Sequence, residues 1–161
     1  MSKKGIECLT EAEKVVSGVF TDRHDHALDS KKRFTIPSEW RALMGNPKFV
    51  YVMPDPREKC LHIIPQAEME GRLAKLRERA LFDPALAPLL QTIGSSSEMP
   101  LLDVQGRIRI SDKLLQFANL TTTVAMVGSV RTIKLWNPAA LAPVGEVDQT
   151  ALAAALEKAA F

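Results

Sequence analysis

An internal duplication constrains the fold of this chain more than any other feature. The segment Asp29 to Ile36 aligns with the segment Asp103 to Ile110, so that an aspartate, an arginine and a final isoleucine coincide at an offset of 74 positions. The same offset then keeps apolar residues opposite apolar residues, pairing Trp40 with Leu114, Leu43 with Phe117, Val50 with Val124 and Val52 with Met126. A pattern that repeats over this length indicates one small structural unit built twice.

Each copy predicts the order strand, tight turn, strand, short helix and β-hairpin. In the first copy, strands are predicted at 23–28 and 33–36, with a turn between them and a helix from Ser38 to Met44. Gly45 and Asn119 align directly behind the two helices, where a residue that tolerates a left-handed backbone ends a helix. The hairpins are predicted at 49–53 with 60–64 and at 124–127 with 132–136.

Outside the two copies the sequence predicts helices. An amphipathic pattern covers 66–82, with one apolar stripe formed by Met69, Leu73, Leu76 and Ala80. Asp83 and Pro84 then favour the start of a second short helix, because aspartate caps well and proline suits the first turn. The run Gly-Ser-Ser-Ser at 94–97 predicts a flexible joint. Asp148 is a capping residue for a final alanine-rich helix.

The size of the repeated unit indicates that the two copies share a core. A unit of roughly 45 residues with four short strands and one helix cannot bury enough apolar surface to fold alone. The whole chain has 161 residues, of which 46% are hydrophobic, and this suffices for two units around one core. We therefore predict an α+β, β-dominated fold in which both copies wrap around each other into a barrel-like body with approximate two-fold symmetry.

Charge and cysteine content narrow the classes of protein. No apolar run approaches the roughly 18 residues of a membrane span, and no export signal is visible at the N-terminus. With only Cys8 and Cys60, a disulfide framework is not expected, and two reduced thiols are typical of a cytoplasmic protein. A net charge of +2 is too small for nonspecific nucleic-acid binding, so any DNA contact must come from local basic clusters.

The duplicated acid-x-x-Gly-Arg turn, followed by an apolar alternation and a short helix, resembles the AbrB-type swapped-hairpin barrel. Two such units, with the run Cys-Leu-His-Ile-Ile-Pro at 60–65 and the run Lys-Leu-Trp-Asn at 134–137, resemble the bacterial MraZ family in particular. The resemblance covers about residues 19–141. It divides the chain into an N-terminal extension (1–18), a first AbrB-like unit with linker helices (19–95), a second unit (96–142) and a C-terminal helical tail (143–161).

The resemblance implies a fold of two tandem swapped-hairpin βαββ units that form a pseudo-two-fold barrel, with linker helices between them and a C-terminal helix. It also implies a sequence-specific transcriptional regulator of the division and cell-wall gene cluster, often a repressor at its own promoter. Such a regulator reads short G-rich direct repeats in double-stranded DNA as a ring-shaped, octamer-like homo-oligomer. We expect a cytoplasmic, nucleoid-associated protein without a cofactor.

The turn residues are the candidate DNA-binding site. Arginine can bond O6 and N7 of guanine together, so base reading is assigned to Arg33 and Arg107. Asp29 and Asp103 are predicted to shape the turns with Gly106, because carboxylates repel phosphate and a leading aspartate bonds the backbone two residues on. The remaining basic residues of this region are predicted to hold phosphate oxygens, and they are Lys31, Lys32, Arg109 and Lys113.

Lys32 departs from the family pattern, which has glycine at this position, as Gly106 does in the second turn. Lysine is strained at positive φ, so we expect the first turn to differ in shape from the second. A milder departure is Ser111 in place of the proline found at Pro37. Serine is a capping residue, so the second helix is still expected to begin there.

Two other functions compete with DNA binding. A duplicated barrel can serve as a non-enzymatic oligomerisation or antitoxin-like protein-interaction module. A metal-dependent enzyme is the third class, because His24 and His26 share one face of a strand, with Asp25 or Cys60 as further ligands. The second copy has no matching histidine pair, so no metal is expected.

The remaining residue types have ordinary structural interpretations. No nucleophile elbow, phosphate loop or paired-carboxylate pocket is present, so the sequence predicts that the protein is not an enzyme. His62 is predicted to be a surface or edge histidine of its hairpin. Trp40 and Trp136 follow the apolar spacing and are predicted to be core residues rather than stacking platforms for bases.

Overall fold

The computed structural model describes residues 18–161, and the predictions for Cys8 and the N-terminal extension to residue 17 lie outside this range. The chain is α+β, with antiparallel strands and several helices. The strands are β1 (Arg23–Ala27), β2 (Arg33–Thr35), β3 (Tyr51–Asp55), β4 (Cys60–Ile64), β5 (Arg107–Arg109), β6 (Thr123–Ser129) and β7 (Thr132–Trp136). The helices are α1 (Ser38–Leu43), α2 (Gln66–Ala80), α3 (Ala87–Ser96), α4 (Asp112–Phe117) and α5 (Gln149–Lys158).

The helix ends follow from local sequence as predicted. Pro37 stands at the entrance of α1, and the hydroxyl of Ser111 accepts the Leu114 N–H at the entrance of α4. Gly45 at φ 76° and Asn119 at φ 56° follow the two helices in the left-handed conformation. The prediction that these aligned residues end the two helices in the same way is therefore confirmed.

Strands of the two copies pair with each other in both sheets. The main sheet has the order β1-β6-β7-β4-β3, and β2 pairs with β5 in a separate two-stranded sheet. The first copy therefore contributes β1, β3 and β4 to a sheet whose other two strands, β6 and β7, belong to the second copy. The main sheet is open, with β1 and β3 at its edges, instead of closing on itself.

The register of the pairs is symmetric between the copies. In the pair of β1 and β6, Arg23 lies opposite Val127. If the copies are symmetric, the equivalent positions, shifted by 74 residues, should also pair, so that β3 forms bridges with the segment before β5. Those bridges exist at Val52 with Glu98 and at Phe49 with Leu101. In the two-stranded sheet, Phe34 lies opposite its own equivalent, Ile108, so this pair marks the centre of the exchange.

The core lies between the sheets and the two short helices. Phe34, Ile36, Ile108 and Ile110 come from the two-stranded sheet and its exits and are at most 1% exposed. Trp40 joins them at 3% exposure, as predicted, while Trp136 is half-buried. Full burial of one such aliphatic side chain stabilises a fold by about 1.5–3 kcal/mol, so these central residues hold the two copies together.

The linker differs from the prediction at one point. Residues 94–97 were expected to form a flexible joint, but helix α3 continues through Gly94 to Ser96. Its serines bond back to the helix, since Ser95 Oγ donates to the Thr92 carbonyl at 3.2 Å and Ser97 Oγ donates to the Ile93 carbonyl at 2.6 Å. The Gly-Ser-Ser-Ser run therefore forms the last turn of a helix instead of a flexible joint.

The other helices match the sequence pattern more closely. Met69 of α2 is buried and the rest of its predicted apolar stripe is half-buried. Asp83 accepts the Ala85 N–H before α3, and Asp148 accepts the Ala151 N–H at the start of α5. Among residues 18–161, no helix combines the length and apolar character that crossing a bilayer requires.

Candidate nucleic-acid interface

The two acid-to-arginine turns are built by the same hydrogen bonds. In the first turn, Asp29 Oδ1 accepts the backbone N–H groups of Lys31 and Arg33 at 2.9 and 2.8 Å. In the second turn, Asp103 Oδ1 accepts those of Gln105 and Arg107, both at 2.9 Å. The aspartate at the start of each turn therefore orders the loop through its side chain, in the manner of an Asx-turn.

The same aspartates hold the side chains of the arginines. Arg33 Nε donates to Asp29 Oδ2 at 2.8 Å, and Arg107 Nε donates to Asp103 Oδ2 at 2.7 Å. Within residues 18–161, the terminal Nη groups of both arginines donate no hydrogen bond to the protein. Each guanidinium is thus oriented through Nε while its outer donors stay available to a ligand.

Electrostatics keeps both turn carboxylates charged. The pKa of Asp29 lies below its ordinary value, chiefly because the Arg33 N–H donates to the carboxylate. The pKa of Asp103 is lowered for the same reason, by the Arg107 N–H. Each arginine therefore has a permanent anionic partner at neutral pH.

The expectation that Lys32 changes the shape of the first turn is wrong. Lys32 has φ 60° and Gly106 has φ 78°, so both occupy the left-handed region. The closing bonds agree as well, since the Lys32 and Gly106 N–H groups each donate to the leading aspartate carbonyl at 2.9 Å. The side-chain bonds of Asp29 hold the loop strongly enough for lysine to adopt this conformation.

The two-stranded sheet brings the arginines to one surface. Arg33 lies opposite Arg109 and Thr35 lies opposite Arg107, while Phe34 and Ile108 between them face the core. Because side chains alternate along a strand and opposite residues share a face, the four polar residues all project from the outer side of the sheet. We call the surface formed by Arg33, Thr35, Arg107 and Arg109 the arginine face.

The predicted lysines separate into three environments. Lys31 is exposed at the tip of the first turn, and its carbonyl accepts Arg109 Nε at 3.2 Å, so it adjoins the arginine face. Lys32 Nζ donates to Asp112 at 2.8 Å, and this bond lowers the pKa of the Asp112 carboxyl. Lys113 lines a groove with Ser95, Ser96 and Phe117.

Sequence reasoning missed Arg41, which packs against the second turn. Its Nε donates to the Ile36 carbonyl at 3.0 Å, and a Cβ on Gly106 would lie 2.4 Å from its Cζ. Arg41 aligns with the buried Leu115 in the second copy, so this is one position where the apolar match fails. That mismatch is the signal in the sequence that could have identified it.

The three histidines lie in different settings. His24 packs edge-on against Trp40 with ring centroids 4.9 Å apart, and His26 Nδ1 lies 2.7 Å from the Ala27 carbonyl. His62 was expected at a surface or edge, but it lies on the interior strand β4 and bonds Asp55 Oδ2 at 3.0 Å and Thr132 Oγ1 at 3.3 Å. The prediction for His62 is therefore wrong.

Comparison with known proteins gives one consistent class. The regulator MraZ of Corynebacterium jeikeium strain K411 is 30% identical over 120 residues, which are 74% of this chain and 79% of that protein. The regulator of Saccharopolyspora erythraea is 28% identical over 120 residues, covering 74% and 81% of the two chains. That of Tropheryma whipplei strain TW08/27 is 26% identical over 140 residues, covering 87% and 96%. No family model matches the chain.

A duplicated α+β chain with a basic outer surface, similar over most of its length to these proteins, is of the transcriptional-regulator class. Within that class, the chain is 30% identical to the Corynebacterium jeikeium regulator over nearly four-fifths of that protein's length. The chain belongs to the MraZ family of transcriptional regulators.

Proposed function

We propose that this protein is a sequence-specific, non-enzymatic regulator that reads short G-rich direct repeats in double-stranded DNA with its arginine face. The observation that carries the proposal is the convergence of Arg33, Arg107 and Arg109 on one outer surface. We also propose that it represses the division and cell-wall gene cluster, including its own promoter. It would accordingly act in the cytoplasm at the nucleoid.

The geometry of the two turns supports base reading by Arg33 and Arg107. These residues are offset by two positions along the two-stranded sheet, about 7 Å, which is well within a major groove about 12 Å wide. Each guanidinium is fixed through Nε, which leaves its Nη groups free for the bidentate bonding to guanine O6 and N7. A fixed fork loses little conformational entropy when it binds.

The neighbouring cations have different roles in this proposal. Lys31 and Arg109 hold phosphate oxygens, because both are exposed and Lys31 adjoins Arg109 at the edge of the arginine face. Lys32 pairs with Asp112 at 2.8 Å and reaches phosphate only by giving up that partner. Lys113 contacts the DNA backbone from the groove that it lines with Ser95 and Ser96.

We propose that the exchanged hairpins are tandem AbrB-type units and that several copies of the chain assemble into a ring. One protomer offers only two base-reading arginines, so specificity for repeated sites requires protomers acting together. Exposed apolar side chains at the end of α2 support an interface between copies, since Leu81 is 80% and Phe82 is 87% exposed. The octamer-like ring expected from the family is one such assembly.

The experiment is a fluorescence-polarisation titration with the DNA upstream of the protein's own gene. The double variant Arg33→Ala with Arg107→Ala should lose at least about 2 kcal/mol of binding free energy, because a bidentate contact is worth about 1–3 kcal/mol. The control is Arg72→Ala, which removes an arginine that pairs with Glu68 on the linker helix at 2.9 Å. Unchanged affinity in the folded double variant would contradict the proposal, and salt-insensitive capture of one protein partner would favour an interaction module instead.

A further inference from the structure

A second polar cluster lies on the hairpin of β3 and β4, away from the arginine face. Asp55, Cys60 and His62 place one ligand-type atom each so that all three atoms lie within 4.8 Å of one another. The strand register explains the arrangement, since Asp55 lies directly opposite Cys60 and His62 follows two residues later on the same face. The cluster is therefore fixed by backbone pairing.

Burial distinguishes this cluster from an ordinary charged surface. Cys60 is fully buried, Asp55 is 6% exposed, and the side chain of His62 is 20% exposed. Glu58 lies over the thiol, with Oε2 3.9 Å from Sγ, and Lys134 holds that carboxylate at 2.7 Å. Three groups that can ligate a metal are thus largely withdrawn from solvent, next to the ion pair of Glu58 with Lys134.

The geometry points to a binding site for Zn²⁺ or a chemically similar divalent transition metal at Asp55, Cys60 and His62. A thiolate, an imidazole and a carboxylate are the three side-chain ligand types that zinc uses in proteins. Glu58 or a water molecule would supply the fourth ligand. Binding forms the metal–sulfur bond and releases the Cys60 thiol proton to solvent.

Two of the three ligands, Asp55 and His62, already have a second hydrogen bond that orients them. Asp55 Oδ1 accepts the Arg57 N–H at 3.0 Å, which leaves Oδ2 facing the cluster. His62 Nδ1 lies 3.3 Å from Thr132 Oγ1, which leaves Nε2 facing Asp55. Outer partners of this kind fix the ring orientation of ligating histidines, and their loss commonly weakens metal binding about 10- to 100-fold.

The second copy does not repeat the site. In the second copy Thr132 and Lys134 occupy the positions that Cys60 and His62 have in the first, and neither can replace its equivalent as a zinc ligand. The sequence did not predict this site, because the site depends on the hairpin register that brings Asp55 opposite Cys60. It also differs from the site considered at His24 and His26.

The test is a titration of the reduced full-length protein with Co²⁺, followed by displacement with Zn²⁺. We expect one equivalent of Co²⁺ to produce a sulfur-to-cobalt charge-transfer band, and Zn²⁺ to abolish it because zinc binds such sites more tightly. Elemental analysis of the same protein after zinc loading and gel filtration should give one zinc per chain. Absence of the band in the wild-type protein would overturn the proposal without any variant.

Variants assign the band to the cluster. Cys60→Ser should remove it, whereas Cys8→Ser is the matched control for the other thiol and should retain it. Thr132→Val should weaken Zn²⁺ binding by about 10- to 100-fold while the band still forms at saturation. His24→Gln should leave the titration unchanged, because His24 packs against Trp40. A band that persists in Cys60→Ser or disappears in Cys8→Ser would contradict the assignment.

Discussion

The two turns have the same hydrogen bonds but differ in what packs against them. At the left-handed position, Lys32 extends to Asp112 at the start of α4, whereas Gly106 lies beneath the side chain of Arg41 from α1. Each turn therefore contacts a helix of the other copy. The leading aspartate therefore sets the backbone shape, while the neighbouring helix determines whether a side chain fits at the left-handed position.

Gly106→Lys, which gives the second turn the residue of the first, should have the largest effect on stability. The new Cβ would lie 2.4 Å from Arg41 Cζ, so Arg41 must leave the Ile36 carbonyl while the backbone keeps its positive φ. We expect the free energy of unfolding to fall by about 2–3 kcal/mol, measured by urea denaturation at an unchanged slope. A loss below about 0.5 kcal/mol would mean that Arg41 does not restrict this turn.

The reverse exchange, Lys32→Gly, should have a smaller and opposite effect. Glycine relieves the left-handed backbone of the first turn, and the ion pair that it removes is exposed and stabilises little. The free energy of unfolding should therefore rise by about 0.5–1 kcal/mol in the same denaturation experiment. If Lys32→Gly instead destabilised the protein as much as Gly106→Lys does, the contacts of the lysine side chain would contribute more to stability than the strain of its backbone costs.

The aspartates should respond alike to acid, because their hydrogen bonds match. The pKa of each carboxyl in the folded protein lies below the ordinary value of 3.8. Its stabilising contribution is thus complete above that value and is lost as pH falls through the lowered folded pKa. Asp29→Asn and Asp103→Asn should be less stable than wild type at neutral pH, and this deficit should shrink below about pH 4. A deficit that is independent of pH would contradict the assigned charge interaction.

The smallest effect concerns the tips of the turns, which differ in charge. Lys31→Ala should weaken DNA binding on all sequences and reduce the slope of log affinity against log salt by about 1. Gln105→Ala is the matched control, because Gln105 occupies the same position in the second turn without a charge. A changed slope for Gln105→Ala, or none for Lys31→Ala, would contradict the phosphate contact.

Local signals in the sequence predicted the features that depend on local structure. The aligned turns, the hairpins and the helix ends at Gly45 and Asn119 were predicted because each depends on a few adjacent residues. The Arg41 packing, the Lys32 pair with Asp112 and the interior position of His62 were not, because each depends on which elements of the two copies meet. The continuation of α3 through Gly94 likewise depends on serine side chains bonding back to the helix.

Contact between the turn arginines and guanine N7 is the central step of the proposed base reading. The most direct measurement is a double-mutant cycle that combines Arg107→Ala with 7-deazaguanine, which lacks N7, in the upstream DNA. For wild type, the modified DNA should bind about 1 kcal/mol or more weakly, and for the variant this difference should vanish at the contacted base. If 7-deazaguanine weakened binding equally for wild type and Arg107→Ala at every guanine, and Arg33→Ala gave the same result, base reading by the turns would be contradicted.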